Sequence, residues 1–292
     1  MRHKWLLIVI PVAAMIFIAF MAGMVSFFAT TGGGTSIFGG GRVGVIEVRG
    51  PIISAEETVK DIEELKKEDG IKSVILRIES PGGSVGASQE ILEAVKLLAK
   101  EKPLVASMGS VAASGGYYIA CGATRILANP GTITGSIGVR MEHVAIGDLL
   151  RWAKVNLETL KSGRYKDIGT MERPLTDEER GILQDLLDEL RGQFKQAVME
   201  ARGLSAEEVE ALADGRVFTG IRAKDLGLVD EIGGFAEAIK LAAQLGGISG
   251  EPELAYPKKR GGFIKRMIEG AAESLDFLAG SAADYRRPVM KI

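Results

Sequence analysis

The sequence predicts an α/β domain preceded by one membrane-spanning helix, and three observations carry that prediction. From Arg42 onward, short β-branched runs alternate with helical patterns, which suits neither a helix bundle nor a sandwich. Between Ser73 and Met108 a strongly apolar strand, a Gly-rich loop, a helix and a second apolar strand follow one another. Ahead of them, Leu6 to Ala29 is a 24-residue stretch without a charge, long enough to span a bilayer.

Taken in order, Arg2, His3 and Lys4 precede the apolar stretch and no basic residue follows it until Arg42. The positive-inside rule then puts the N-terminus in the cytoplasm and the body of the protein outside it. A cleaved signal peptide has a shorter apolar core and an A-x-A-like site, which Phe27-Phe28-Ala29 fits poorly. Residues 1–29 therefore read as a cytoplasmic tip and a single-pass plasma-membrane anchor. Residues 30–41, with two Gly triplets, read as a flexible linker.

The body runs over residues 42–249. Val43 to Val48 reads as its first strand. Ser54 with Glu57 predicts a capping box for a helix reaching about Asp69, and Ser73 to Ile78 is the second strand. Gly86 to Lys100 places Ile91, Leu92, Val95 and Leu98 at helical spacing, and Leu104 to Met108 is the next buried strand. A helix starts at Ser114, and strands over Arg125–Ala128 and Thr132–Val139 flank the Asn129-Pro130-Gly131 turn. Asp177 to Ala201 is a long helix, Ser205 with Glu208 caps a short one, and Phe235 to Leu245 is the last. Residues 250–292 form a tail that is basic from Pro257, with a weak amphipathic pattern and a candidate regulatory role.

Composition removes several classes of function. The net charge of −2 lacks the cationic field of a nucleic-acid binder. A single cysteine, Cys121, cannot form an intrachain disulfide, and two histidines, His3 and His143, cannot build a Cys/His zinc cage. No metal and no organic cofactor are implied.

Two loops could carry chemistry. Ser80-Pro81-Gly82-Gly83 follows a strand and precedes a helix, so its N–H groups could form an oxyanion hole, although a Pro-Gly-Gly turn is also ordinary loop chemistry. Ser114, in Ala113-Ser114-Gly115-Gly116-Tyr117-Tyr118, has small neighbours that would let a peptide carbonyl reach its Oγ, but Ser is equally a favoured helix N-cap. A serine nucleophile needs a base. His143 lacks the small neighbours of such a site, which leaves lysine, and a free lysine is neutral to only about 0.04% at pH 7. The base must therefore be taken out of water. Lys154, Lys161 and Lys166 are all open to that role on spacing alone.

Those two loops, with Thr134-Gly135-Ser136-Ile137-Gly138-Val139 and Gly163-Arg164-Tyr165-Lys166-Asp167, together resemble the signal peptide peptidase A family in order and spacing. The resemblance spans about Val43 to Leu245. It implies a Clp-protease and crotonase-like fold of repeated β-β-α units, with Ser114 as nucleophile and Lys166 as general base. It further implies that Ser136 orients the lysine and that the N–H groups of Gly83 and Gly115 form the oxyanion hole. The function implied is a membrane-anchored serine endopeptidase that degrades remnant signal peptides and other hydrophobic peptides through an acyl-enzyme. The family also implies a ring-like homo-oligomer with active sites near subunit interfaces. A catalytically inactive membrane scaffold and a crotonase-type acyl-CoA enzyme are the rival readings; an extracytoplasmic location speaks against the second.

Overall fold

The computed structural model describes residues 41–258. The expected membrane anchor, nearly all of the expected linker and the tail beyond Lys258 lie outside the described residues, among which no helix is long and apolar enough to cross a membrane.

An eight-stranded, mostly parallel sheet organises the molecule. Its centre is β1 (Arg42–Arg49), β2 (Ile71–Ser80) and β3 (Leu104–Ala113), joined by the crossover helices α1 (Glu56–Lys67) and α2 (Val85–Glu101). Side chains alternate along these strands with the two-residue period of extended backbone. Val43, Val45, Ile75 and Val105 face Ala238, Ala242 and Ala243 of α8 (Phe235–Leu245). Ile46, Val48, Val74, Leu76, Ile78, Leu104 and Ala106 face the other way, into a core shared with α1 and α2. Burial on both faces explains the nearly continuous apolar runs of β2 and β3.

The third strand forks. Val105–Met108 pairs with β4 (Arg125–Ala128), whereas Val111–Ala113 pairs with β5 (Ile133–Gly135). At the fork the pairing with β2 jumps from Ile78↔Met108 to Ser80↔Ala112, leaving a bulge. The Glu79 carboxylate fills it, accepting from the N–H of Ser110 at 2.8 Å and of Val111 at 3.2 Å. Strand β3 thereby continues past Met108, where its apolar run ends, to Ala113.

Beyond the fork come α3 (Gly115–Ala120), α4 (Gly147–Trp152), α5 (Asp177–Arg202), α6 (Ala206–Leu212), β6 (Val217–Thr219), α7 (Gly220–Asp225) and β7 (Glu231–Ile232). The named elements thus run β-α three times and then β-β-α at β4, β5 and α4, with the bridged Ile52 and Gly83 following β1 and β2. The β6 strand pairs antiparallel with β5, and β7 pairs with β4.

Three local expectations are corrected. The Ser54–Glu57 box does not form: Ala55 is the N-cap residue of α1, and Ser54 Oγ accepts only from Glu56 N–H at 3.3 Å. Burial of Ala55 and Ile52, with Ile52 bridged to Gly83, fixes where the chain enters the helix. The strand expected over Thr132–Val139 shrinks to Ile133–Gly135, because Gly135 (φ +80°) and Ser136 (φ +52°) turn the backbone out of the extended region. Finally β8 (Glu253–Ala255) pairs in parallel with the edge of β1, so the sheet reaches into residues read as tail. Three residues, of which Leu254 and Ala255 are partly buried, are too short a pattern to be read as a strand. The Ser205–Glu208 box is present as expected.

Candidate active site

Ser114 sits where β3 gives way to α3, at φ +52° and ψ −120°. That is a left-handed-side backbone which a residue with a Cβ adopts only under constraint. The constraint is visible: Ser114 N–H donates to Gly135 O at 2.8 Å, and its own carbonyl accepts from Tyr118 N–H at 2.8 Å. Ser114 stands at the N-cap position of α3, but its side chain makes no capping hydrogen bond, so its hydroxyl is not used as a cap. The residue is half-buried and lines a pocket.

The glycine loop packs against this turn. A Cβ on Gly82 would come within 2.6 Å of Gly115 N and 2.9 Å of Ser114 Cβ, so only glycine permits the approach. A Cβ on Gly115 would lie 3.2 Å from Gly83 N, so the Gly83 nitrogen packs close against Gly115. Among the described residues neither the Gly83 nor the Gly115 N–H has a hydrogen-bond partner. Gly115 opens α3, where N–H groups have no intrahelical partner, and the bridge between Ile52 and Gly83 uses Gly82 O and Ser84 N–H but not the Gly83 N–H. Such a pair beside a serine is what an oxyanion hole needs.

The pocket next to Ser114 is lined by Val85, Tyr118, Val139, Leu190 and Phe194, with Ser88 and Gln89 as its polar members. Tyr118 and Phe194 meet edge to face at 4.9 Å between ring centroids. Among its lining residues there is no charge. The sequence did not single out Leu190 or Phe194, which come from a helix remote in the chain, or Gln89 on α2, because each reads as an ordinary amphipathic position.

Ser136 lies one residue beyond the Gly135 carbonyl that holds Ser114, and its own N–H donates to Arg216 O at 2.8 Å. Both serines are therefore brought to one end of the sheet. Lys166 is not. It is exposed, in a loop between α4 and α5, outside the pocket lining, and among the described residues no hydrogen bond joins its amine to Ser136 or Ser114. Lys161 in the same loop is engaged with Asp167 at 2.6 Å, and Lys154 is exposed. His143 is also elsewhere, its Nε2 2.8 Å from Thr170 O. Cys121 is buried, which pushes its thiol up to about 12 and leaves no thiolate as a rival nucleophile. No cluster of three or more His, Cys, Asp or Glu among the described residues is placed to hold a metal ion.

The segment that carries Lys166, between β5 and α5, exposes several large apolar side chains. Trp152 is 82% and Leu160 91% exposed, and Met141, Val144, Leu149, Leu157 and Met171 are exposed with them.

The model of peptidase family S49 matches residues 96–249, and the Clp protease model matches residues 46–132. A Synechocystis sp. protein with a protease name is 44% identical over 212 residues, which are 71% of this chain and 75% of that protein. The chloroplast serine protease SPPA of Arabidopsis thaliana is 38% identical over 69% of this chain and 30% of its own length. Protease 4 of Salmonella typhi is 36% identical over 70% of this chain and 35% of its own.

Proposed function

Because the chain belongs to peptidase family S49 and to the signal peptide peptidase A family within it, we propose that it is a membrane-anchored serine endopeptidase acting through Ser114 and Lys166. The observation that carries this reading is the strained turn at Ser114 with the Gly83 and Gly115 N–H groups beside it. In the proposed reaction Ser114 Oγ attacks a peptide carbonyl while its proton passes to a neutral Lys166 amine. The oxyanion is held by the two N–H groups. Collapse expels the amine product, which takes the proton from Lys166, and water attacks the resulting ester by the same route in reverse.

Lys166 can serve only if it is neutral and close, and it is exposed in the isolated chain. Both needs are met if copies assemble so that Lys166 of one reaches Ser114 of the next. The exposed Trp152 and Leu160 would then be buried along with the amine, whose desolvation favours its neutral form. The assembly that would do this is a ring-like homo-oligomer. The apolar pocket suits an extended peptide with a small or medium apolar side chain on the acyl side, as remnant signal peptides supply. The uncharged segment 6–29 would keep the active sites at the outer membrane surface near such substrates.

The test is complementation. Ser114→Ala and Lys166→Ala should each be inactive alone, and a mixture co-assembled from the two should recover part of the wild-type turnover. A catalytically inactive scaffold, which an exposed Lys166 also fits, predicts no labelling of Ser114 by a fluorophosphonate in the wild-type protein.

A further inference from the structure

Taking Lys166 as the general base, a reading on which this step rests, we infer that Arg173 is a positioning residue for it, acting through a clamp that ties the Lys166 loop to the first turn of α5. The guanidinium makes a two-pronged contact with Glu179, Nη1 to Oε2 at 2.7 Å and Nη2 to Oε1 at 2.7 Å. The same Nη2 reaches Asp167 Oδ2 at 3.2 Å, and Asp167 Oδ1 accepts from Lys161 Nζ at 2.6 Å. On the other side of Lys166, the Tyr165 hydroxyl and the Arg164 guanidinium both meet Glu178. Both chain neighbours of Lys166 are thus held, and none of these bonds uses the Lys166 amine.

The far end of the clamp does not move easily. Glu179 is buried, and its carboxylate also accepts from Thr176 N–H at 2.9 Å while Thr176 Oγ1 accepts from Glu179 N–H at 3.2 Å. This reciprocal box starts a 26-residue helix whose later turns supply Leu190 and Phe194 to the pocket. One helix therefore shapes the candidate acyl pocket and anchors the candidate base. The loop needs such an anchor, since it is bounded by Gly163 and Gly169, which have no neighbour within contact of a Cβ. Without the clamp, each approach of Lys166 to a serine would first have to order the loop. A lysine at position 173 could not replace the fork, because an ammonium offers a point charge where two carboxylates need a planar pair of donors.

The experiment uses the full-length protein in detergent, with Arg173→Gln, Arg173→Lys, Asp167→Asn and Lys166→Ala. The expected result for both Arg173 variants is a kcat lower by about 10- to 100-fold with KM within about twofold, the size of loss that misplacing a reacting group causes. Amide exchange over residues 162–169 should rise by about tenfold or more, while protection at residues 194–198 stays unchanged. Asp167→Asn should lower kcat in the same sense, and its combination with Arg173→Gln should be less than additive. Wild-type kcat in Arg173→Gln, or exchange that accelerates at residues 194–198 as well, would overturn the clamp, the second by making Arg173 a support of the whole helix. Retained turnover in Lys166→Ala would instead remove the general-base reading itself, so the two failures are told apart.

Discussion

The main-chain N–H of Ser114 donates to the carbonyl of Gly135 at 2.8 Å, tying the end of β3 to the end of β5. Both chains turn sharply there: Ser114 and the next residue on the other strand, Ser136, each have φ +52°. Non-glycine residues in that region cost of order 1–3 kcal/mol each and persist where the surroundings hold them. Here the surroundings are the ladder bond, the Gly82 contact and the first turn of α3. The strain lifts the Ser114 side chain out of the sheet toward the pocket.

Relieving that strain should separate stability from activity. Ser114→Gly removes the Cβ that resists positive φ and should raise stability relative to Ser114→Ala by about 1 kcal/mol. Neither variant keeps the hydroxyl, so both should be inactive. Urea denaturation of the two proteins reads the difference; equal midpoints would mean that the turn is not strained.

The oxyanion pair should be sensitive to a single methyl group. In Gly83→Ala the new Cβ would lie 2.1 Å from Ile52 O, which is backbone and cannot step aside, so the N–H must move. A fall in kcat of about 10²–10³-fold is expected, the usual loss on removing one such donor. In Gly115→Ala the nearest atom is Ser88 Oγ at 2.5 Å, which could rotate away, but Gly83 N at 3.2 Å could not. The loss should therefore persist in the Ser88→Ala/Gly115→Ala double variant, and full recovery there would show that only Ser88 was in the way.

Pocket depth should follow Phe194. Its ring stands edge-on to Tyr118 and closes the apolar wall beside Ser114. Phe194→Leu should shift the acyl-side preference in a peptide library from small or medium toward bulkier apolar side chains. Phe194→Ala should do so more strongly, at a stability cost of about 3–5 kcal/mol for a buried ring. An unchanged preference in both variants would place the acyl side chain elsewhere.

How much of this was legible in the sequence depends on the range of the interaction. The central strands and long helices show in the chain because alternation of Val43, Val45 and Ile46, Val48, or the spacing of Ile91, Leu92 and Val95, is local. The Ser80–Gly83 and Ser114–Tyr118 loops are legible as small-residue turns for the same reason. What the chain hides is set by distant partners. The extension of β3 depends on Glu79 filling a bulge thirty-one residues away in sequence. The pocket wall comes from Leu190 and Phe194 on α5, and the start of α1 from the Ile52–Gly83 bridge. The Thr176-x-x-Glu179 pattern before α5 was a readable capping box, but nothing local says that Arg173 also grips it.

The acid response of α5 should expose that grip. Arg173 holds the Glu179 carboxyl down to about 2, with the Thr176 N–H second. A carboxyl lowered in the folded state lends stability that is whole above its ordinary value near 4.3, shrinks as the pH falls, and is gone below the folded value. Glu179→Gln keeps the shape but cannot take part in that titration. The difference in melting temperature between wild type and Glu179→Gln should therefore be constant from pH 7 down to about pH 4.5 and close progressively toward pH 2. Peptide cleavage by the wild type, if the loop of Lys166 hangs on Glu179 through Arg173, should recover fully after exposure to pH 4, because the carboxylate stays ionised there. A melting difference that stays the same to pH 2 would mean that Glu179 acts through its size alone, and the charge pairing with Arg173 would lose its part in holding the loop.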